Sequence, residues 1–298
     1  MLSVLIPVYN YDVTELVNEL HKQLVTSGID FEILIFDDGS KSEINNINYK
    51  LNQLENVEFK ELQKNVGLSQ NRNLLIKSSK FDYLILLDAD SLLVDDLFIK
   101  HYLHAFKNNP DIVYGGLTHP KEIKPEQKLR WKYGRHAEEV PVNTRAEKPY
   151  KYMRGNNTAF HKRVFKIVNF DNSLTKYGHE DTLFAYQALL QKLNVLHIDN
   201  PVLHGDIDTN NIFIEKTEKG VENLLFIYNS KKIDADFVKI LSFYRKIEKI
   251  KLKGILAITF TLFSRLIKKQ LNSSKPSLFL FNFYKLSYMC YYDLNRKI

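Results

Sequence analysis

Residues 83–90 have the sequence YLILLDAD, in which a short apolar run leads directly into two aspartates separated by one alanine. A run of this length that ends in polar residues is typical of a strand buried on both faces of a sheet. Two carboxylates at the end of such a strand can both reach a divalent cation, since Mg²⁺ and Mn²⁺ prefer oxygen ligands. A metal site is therefore one interpretation of Asp88 and Asp90, and an acidic turn or helix cap is the other.

Two further apolar runs, residues 2–6 and residues 31–36, lie upstream of this stretch. Between them, apolar side chains at helical spacing, closed by Gly28, predict a helix. The alternation continues with predicted strands at 57–62 and 112–114 and predicted helices at 67–79, 95–107 and 180–193. Strands that alternate with helices predict an α/β fold, with a mostly parallel sheet flanked by helices.

Polar clusters follow three of the predicted strands. Residues 7–10 (PVYN), 37–40 (DDGS) and 88–90 (DAD) each come directly after an apolar run. In open parallel sheets the ligand binds beyond the carboxyl ends of the strands. We therefore expect these three clusters to contribute to one ligand site.

Three more positions contain groups suited to chemistry, although each also has a structural interpretation. Arg72 lies near the start of a predicted helix, where its planar cation can pair with phosphate or simply face solvent. Glu180 and Asp181 begin another helix, where acids serve either as caps or as a general base. His204 ends a short apolar segment and can be structural or a metal ligand.

Taken in order along the chain, these clusters resemble the motifs of family 2 glycosyltransferases with the GT-A fold. The resemblance covers residues 1–210, and it implies a GT-A catalytic domain over residues 1–211. At Asn71 the sequence departs from the family, which usually has alanine there. The motifs are weak singly but specific as a set of six in register. They are Val4–Asn10, Asp37–Ser40, Asn65–Asn73, Asp88–Asp90, Gly155–Phe160 and Glu180–Asp181.

The resemblance also implies a role for each motif. Asp181 would deprotonate the acceptor hydroxyl as the general base, with Glu180 shaping the pocket beside it. Asp90, His204 and Asp88 would be the ligands of Mn²⁺ or Mg²⁺. The donor would be a UDP-sugar, the usual choice in the family, and transfer would invert the anomeric carbon. The nucleotide-sugar would be bound by Pro7, Tyr9, Asp37, Asp38, Gly67, Arg72, Asp88, Ala89, Gly155 and Asn156.

Two other functions are compatible with parts of the sequence. A phosphatase could use Asp88 as nucleophile and Asp90 as acid and base, but Glu180 and Asp181 would then have no role. A non-catalytic carbohydrate- or membrane-binding protein could share the same fold. Such a protein would have no need of Asp181. For a transferase, we expect the acceptor to be a glycan or a lipid-linked oligosaccharide.

The composition suggests where the protein works. The chain has 298 residues and a single cysteine, Cys290, which excludes an internal disulfide and fits a reducing compartment. Residues 1–10 predict a strand and not a secretory signal. We therefore expect a cytoplasmic protein, although a bacterial periplasmic protein could also lack disulfides. Peripheral contact with the inner face of the plasma membrane through the C-terminal region is one interpretation.

Residues 212–298 are predicted to form a separate helical region that is basic and aromatic. Within it, residues 231–298 contain 15 Lys and Arg against 4 Asp and Glu. The uncharged run at 254–264 is too short to span a bilayer, which takes about 20 apolar residues. Basic residues interleaved with Phe and Tyr suit a helix lying in the membrane interface. Packing on the catalytic domain is the open alternative, and nucleic acid is the least favoured partner.

Overall fold

The computed structural model describes residues 1–296, which form two compact units. The first unit consists of Met1–Pro120, Glu138–Thr175 and Glu180–Asp206, and the second consists of Lys121–Ala137, Lys176–His179 and the chain from Ile207 onward. The boundary predicted at residue 211 lies close to the last division point. It does not anticipate that residues 121–137 belong with the C-terminal helices, because these segments are far apart in sequence.

Ten strands are present in the described part of the chain. They are β1 (Leu2–Val8), β2 (Phe31–Asp37), β3 (Val57–Glu61), β4 (Tyr83–Leu87), β5 (Ser91–Leu93), β6 (Ile112–Tyr114), β7 (Leu117–Thr118), β8 (Asn157–His161), β9 (Val195–His197) and β10 (Val202–His204). Seven strands form one sheet in the order β3-β2-β1-β4-β8-β6-β9, and β5, β10 and β7 form a second sheet. In the larger sheet, β8 runs antiparallel to its neighbours and the other pairs are parallel. The predicted α/β fold is thereby confirmed.

Twelve α-helices accompany these strands within residues 1–296. They are α1 (Thr14–Ser27), α2 (Asn45–Asn48), α3 (Leu68–Ser78), α4 (Phe98–Phe106), α5 (Lys128–Ala137), α6 (Val142–Glu147), α7 (Pro149–Tyr152), α8 (Glu180–Leu190), α9 (Asn210–Asn229), α10 (Lys239–Lys249), α11 (Lys253–Leu271) and α12 (Leu278–Asn295). Helices α5 and α9 to α12 belong to the second unit.

Apolar burial explains why β1 and α1 form and pack together. All seven residues of β1 are buried, and α1 turns Leu16, Val17, Leu20 and Leu24 toward the same core. Each fully buried aliphatic side chain contributes about 1.5–3 kcal/mol. Helix α1 ends at Gly28, whose φ of 67° is a left-handed conformation that glycine adopts at little cost. It begins after Asp12, whose carboxylate accepts the Thr14 N–H at 2.9 Å.

The second unit has an aromatic and aliphatic core of its own. It joins residues of α5, α9, α11 and α12, namely Leu129, Ile214, Phe260, Ile267, Leu271, Phe281 and Tyr284. Phe281 and Tyr284 come from the aromatic segment for which the sequence left membrane contact and packing open. Their burial places these two side chains in the core of the second unit.

Candidate functional site

Asp37 shapes the loop that follows β1. The side chain is completely buried, and its carboxylate accepts N–H groups from Asn10 at 3.2 Å and from Ser40 at 2.7 Å. Pro7 is buried within β1, whereas Tyr9, at the start of the loop, is 59% exposed. The Asp37 carboxylate is therefore engaged by the protein backbone, and Tyr9 is the member of this motif with a ring free to contact a ligand.

Asp38 holds the loop that leads into α3. Its two carboxylate oxygens accept the N–H groups of Val66 at 2.7 Å and Gly67 at 2.9 Å. Burial raises the pKa of Asp38, and the two N–H groups oppose that rise. Gly39 lets the loop pack closely, since an added Cβ would lie 2.5 Å from the backbone carbon of Lys64. The D-D-G-S motif thus brings the start of α3 to the end of β2.

Arg72 is not a surface residue, because its side chain is only 2% exposed. Its guanidinium donates to Asp88 at 3.0 Å and to Glu180 at 3.3 Å. The same group lies over the ring of Phe170, 5.2 Å from the centroid. One buried cation therefore connects the D-A-D motif after β4 with the E-D motif that opens α8.

The two acids of the E-D motif have different surroundings. Burial, the largest effect, raises the pKa of Glu180 to about 7, although Arg72 acts to lower it. A carboxyl group that titrates near neutral pH is typical of functional sites. Asp181 accepts the N–H of Thr182 at 2.7 Å in the first turn of α8. Glu180 is thus held by an arginine, and Asp181 is held by the helix backbone.

Pairing of β10 with β5 brings His204 to Asp90. The register places His204 opposite Ser91, and His204 Nε2 lies 3.5 Å from Asp90 Oδ2. Glycine at position 205 lets the chain after β10 lie close to Asp90. The Gly205 N–H donates to the Asp90 carbonyl at 2.8 Å, and an added Cβ would lie only 2.9 Å from the same oxygen. At the candidate metal position, His204 therefore comes from the end of β10, and Asp90 comes from the turn directly before β5.

The donor set at this position fits a hard divalent cation. Among the residues that the structure describes, no three His, Cys, Asp or Glu side chains gather into a metal site. The Asp90–His204 pair nevertheless suits Mg²⁺ or Mn²⁺, which proteins often hold with few side chains while substrate phosphates supply further oxygens. Asp88, the third predicted ligand, has its carboxylate hydrogen-bonded to Arg72.

His119 is a site residue that sequence reasoning missed. Its ring stacks on His204 with centroids 5.7 Å apart and planes 11° apart. The His119 side chain is fully buried, and its two nitrogens lie 3.2 Å from Glu138 and 3.1 Å from Glu139. These contacts fix the orientation of the His119 ring against His204. The sequence gives no signal of this contact, because the four residues come from three distant segments.

The G-N-x-x-F motif lies beside Arg72. An added Cβ on Gly155 would lie 2.8 Å from Arg72 Nη1, which explains the glycine. The Asn156 carbonyl accepts the Asp88 N–H at 3.3 Å. The side-chain oxygen of Asn156 is buried, and no donor within residues 1–296 reaches it. A buried acceptor left unpaired costs about 1–3 kcal/mol, which a ligand donor would offset.

Most of the predicted site residues fall into three groups. Arg72 joins Asp88 and Glu180, with Gly155 and Asn156 alongside, and Asp90 pairs with His204. Asp37, Asp38 and Gly67 make backbone contacts that shape the surrounding loops. Ala89 packs against the apolar core.

Replacing Arg72 with leucine should lower the free energy of unfolding by roughly 3 kcal/mol, as expected for breaking a buried ion pair. Asp88 is 37% exposed and keeps part of its hydration, so most of this loss should come from Glu180. Glu180→Gln in the same chain should therefore recover part of the loss, as urea unfolding of all four combinations would show. Arg163→Leu, which breaks the more exposed pair with Asp111, should cost no more than about 1 kcal/mol. Strictly additive effects of the Arg72 and Glu180 substitutions would contradict their coupling.

Comparison with known proteins gives a family match. Residues 3–172, more than half of the chain, match the model described as Glycosyl transferase family 2. Chondroitin synthase of Escherichia coli is 24% identical over 257 residues, which cover 74% of this chain and 36% of that protein. The poly(ribitol-phosphate) beta-N-acetylglucosaminyltransferase TarP of Staphylococcus aureus (strain N315) is 31% identical over 120 residues, which cover 38% of this chain and 35% of TarP. The chain thus spans little more than a third of these relatives.

Two solved structures share the fold. The mannosyltransferase PcManGT from Pyrobaculum calidifontis, in complex with GDP-Man and Mn²⁺, has a TM-score of 0.55 at 13% identity over 98% of this chain and 86% of its own. S. aureus TarS 1–349 in complex with UDP-GlcNAc has a TM-score of 0.52 at 17% identity over 98% of this chain and 91% of its own. At such identities the likeness concerns the fold alone, and it agrees with the predicted GT-A architecture.

Proposed function

The chain belongs to glycosyltransferase family 2, and on that premise we propose that it transfers a sugar from a nucleotide-sugar to a hydroxyl group of an acceptor. The observation that supports this best is the contact of buried Arg72 with both Asp88 and Glu180. Arg72 thereby connects the D-A-D motif, proposed to bind the donor, with the E-D motif, proposed to act on the acceptor. A phosphatase has no use for such a link, which counts against that alternative.

For the donor, we propose a UDP-sugar. S. aureus TarS binds UDP-GlcNAc in its solved complex. In this chain, the exposed ring of Tyr9 can stack on the nucleotide base. The unpaired side-chain oxygen of Asn156 can accept a hydrogen bond from a hydroxyl group of the nucleotide-sugar. Asp38 and Arg72 would support this pocket through the loops and side chains that they hold.

We propose that Asp90 and His204 hold Mn²⁺ or Mg²⁺ together with the diphosphate, and that Asp88 contacts the ribose or the metal. When bound, the cation would neutralise the charge that develops on the leaving nucleoside diphosphate. Arg72 would hold the Asp88 carboxylate in position through their hydrogen bond.

The transfer itself is proposed to be a single displacement. Asp181 would accept the proton of the acceptor hydroxyl while the hydroxyl oxygen bonds to the anomeric carbon. The bond from that carbon to the diphosphate breaks on the opposite side, so the configuration inverts. Glu180, held by Arg72, would shape the acceptor side of the pocket.

The acceptor is proposed to be a growing glycan or a lipid-linked oligosaccharide. Glycan-building relatives support this class, among them the E. coli chondroitin synthase. We also propose that the protein acts on the cytoplasmic side of the plasma membrane, in peripheral contact through residues 231–298, whose excess of Lys and Arg suits anionic lipid.

A donor screen tests this function. The purified chain would be incubated with a panel of UDP- and GDP-sugars, with Mn²⁺ or Mg²⁺ and mixed glycan acceptors, and nucleotide release would be measured. We expect release from a UDP-sugar that depends on the metal and rises with acceptor. A product that keeps the donor's anomeric configuration would contradict the single displacement. Hydrolysis of simple phosphoesters without a nucleotide-sugar would instead favour the phosphatase.

A further inference from the structure

Helix α11 has one buried face and one exposed face. Ala257, Phe260, Ile267 and Leu271 are buried within the second unit. On the other face, four large aliphatic side chains recur at intervals of three or four residues and so form one stripe along about 16 Å of helix. These four, here called the α11 stripe, are Ile255, Ile258, Leu262 and Leu266, and their exposed fractions are 61%, 62%, 66% and 65%.

The neighbouring helices α10 and α12 expose single large apolar side chains, such as Phe243 and Phe279, but no such row of four. Leu241 and Tyr244 of α10 are buried, as are Phe281 and Tyr284 of α12. Single exposed aliphatic residues are ordinary on protein surfaces, but a contiguous apolar strip bordered by polar residues marks an interaction site. The α11 stripe is therefore an apolar surface that no other described part of the second unit covers.

The charge around the α11 stripe is of one sign. Residues 249–292 contain eight Lys and Arg and no Asp or Glu. Lys253 and Lys268 are paired inside the unit, with Glu248 at 3.1 Å and Glu218 at 2.9 Å. Lys251 before the stripe, Arg265 beside it and Lys269 after it are exposed, and no described carboxylate lies within ion-pair distance of them. A partner for this face must accept apolar side chains and supply negative charge along the same line.

We propose that the α11 stripe docks on the surface of a bilayer that contains anionic phospholipid. The four aliphatic side chains enter the boundary between headgroups and acyl chains, while Lys251, Arg265 and Lys269 contact the phosphates. The helix lies in the interface, in keeping with the finding that none of the described helices is both long and apolar enough to cross a membrane. Docking through the α11 stripe would locate the membrane contact proposed above, and it depends on no step of sugar transfer.

Vesicle co-sedimentation of the full chain tests the docking without any donor or acceptor. We expect binding to mixed phosphatidylcholine–phosphatidylglycerol vesicles and much weaker binding to pure phosphatidylcholine. The double substitution Ile258→Glu and Leu262→Glu should weaken binding more than about tenfold. It removes the apolar contact and places two negative charges against anionic lipid. Lys251→Gln, Arg265→Gln and Lys269→Gln together should also weaken it by more than about tenfold and remove most of its salt dependence.

The matched control carries Val25→Glu and Ile167→Glu, which change two residues of similar exposure in the first unit, 58% and 56%. This control should bind vesicles like the unchanged chain, and circular dichroism should show all variants folded. Equal binding by the α11 variant and the control would overturn the proposal. So would a dimer seen by light scattering that the α11 substitutions dissociate while vesicle binding is absent, since the stripe would then be covered by a second copy. Loss of sugar transfer with vesicle binding intact would count against the proposed enzyme alone.

Discussion

Asp181→Asn should lower kcat by about 10²- to 10⁴-fold, the usual contribution of a general base, while the KM for the nucleotide-sugar changes little. Asparagine keeps the oxygen that accepts the Thr182 N–H, so the first turn of α8 should stay formed. What the substitution removes is the charged oxygen that would take the acceptor proton. Steady-state kinetics with the donor identified in the screen would separate the two parameters, and thermal unfolding would verify the fold.

Asp95→Asn is the matched control for that substitution. Asp95 also accepts a backbone N–H at a helix start, from Leu97 at 2.8 Å, but lies exposed before α4. It should leave kcat unchanged. Glu180→Gln should lower kcat less than Asp181→Asn, because it only weakens the contact with Arg72. If Asp181→Asn retained full turnover while Glu180→Gln abolished it, the base would be Glu180.

The sequence was sufficient where one local signal decides the structure. The run at 83–87 forms β4 as predicted, because an apolar segment of that length can be buried on both faces of a sheet. The helix predicted from residue 95 instead begins at Phe98, after a turn in which the Asp95 carboxylate accepts the Leu97 N–H. Element types were therefore predictable, whereas the ends depended on individual hydrogen bonds.

Arg72 shows where sequence reasoning stops. A lone arginine near a helix start favours a solvated side chain, yet the structure buries it between Asp88 and Glu180. The ion contact with Glu180 spans 108 residues of sequence, so no local pattern encodes it. The stacking of His119 on His204 likewise depends on the pairing of distant strands.

In the C-terminal region, the sequence alone likewise does not tell which helix faces are exposed. Sequence amphipathicity left membrane contact and packing on the catalytic domain open, since a core face and a lipid face look alike. In the structure, Leu241, Tyr244 and Phe281 are buried, whereas Ile258 and Leu262 are exposed. The separation follows from which helix faces meet within the second unit, and that cannot be computed from residue spacing alone.

Asp90→Asn should reduce turnover by roughly 10²-fold or more, since the charge stabilisation that a bound cation supplies amounts to several kcal/mol. Asn keeps the size of the side chain but loses the negative charge that would hold Mn²⁺ beside His204. We therefore expect a matching loss of Mn²⁺ affinity, measured by titration calorimetry in the presence of UDP. His204→Gln should weaken the same affinity to a smaller extent, because the ring contributes no charge of its own when neutral.

Asp206→Asn separates metal binding from a general loss of negative charge. Burial is the largest cause of the raised pKa of Tyr11, and the charges of Asp90 and Asp206 raise it further. The two carboxylates are therefore both close enough to influence the same side chain. The contact that defines the candidate metal position is the one between Asp90 and His204. Asp206→Asn should therefore leave Mn²⁺ affinity within about twofold of the unchanged chain, less than about 0.5 kcal/mol. If both substitutions weakened Mn²⁺ binding equally, bulk electrostatics would explain the effect, and Asp90 would lose its assignment as a direct ligand.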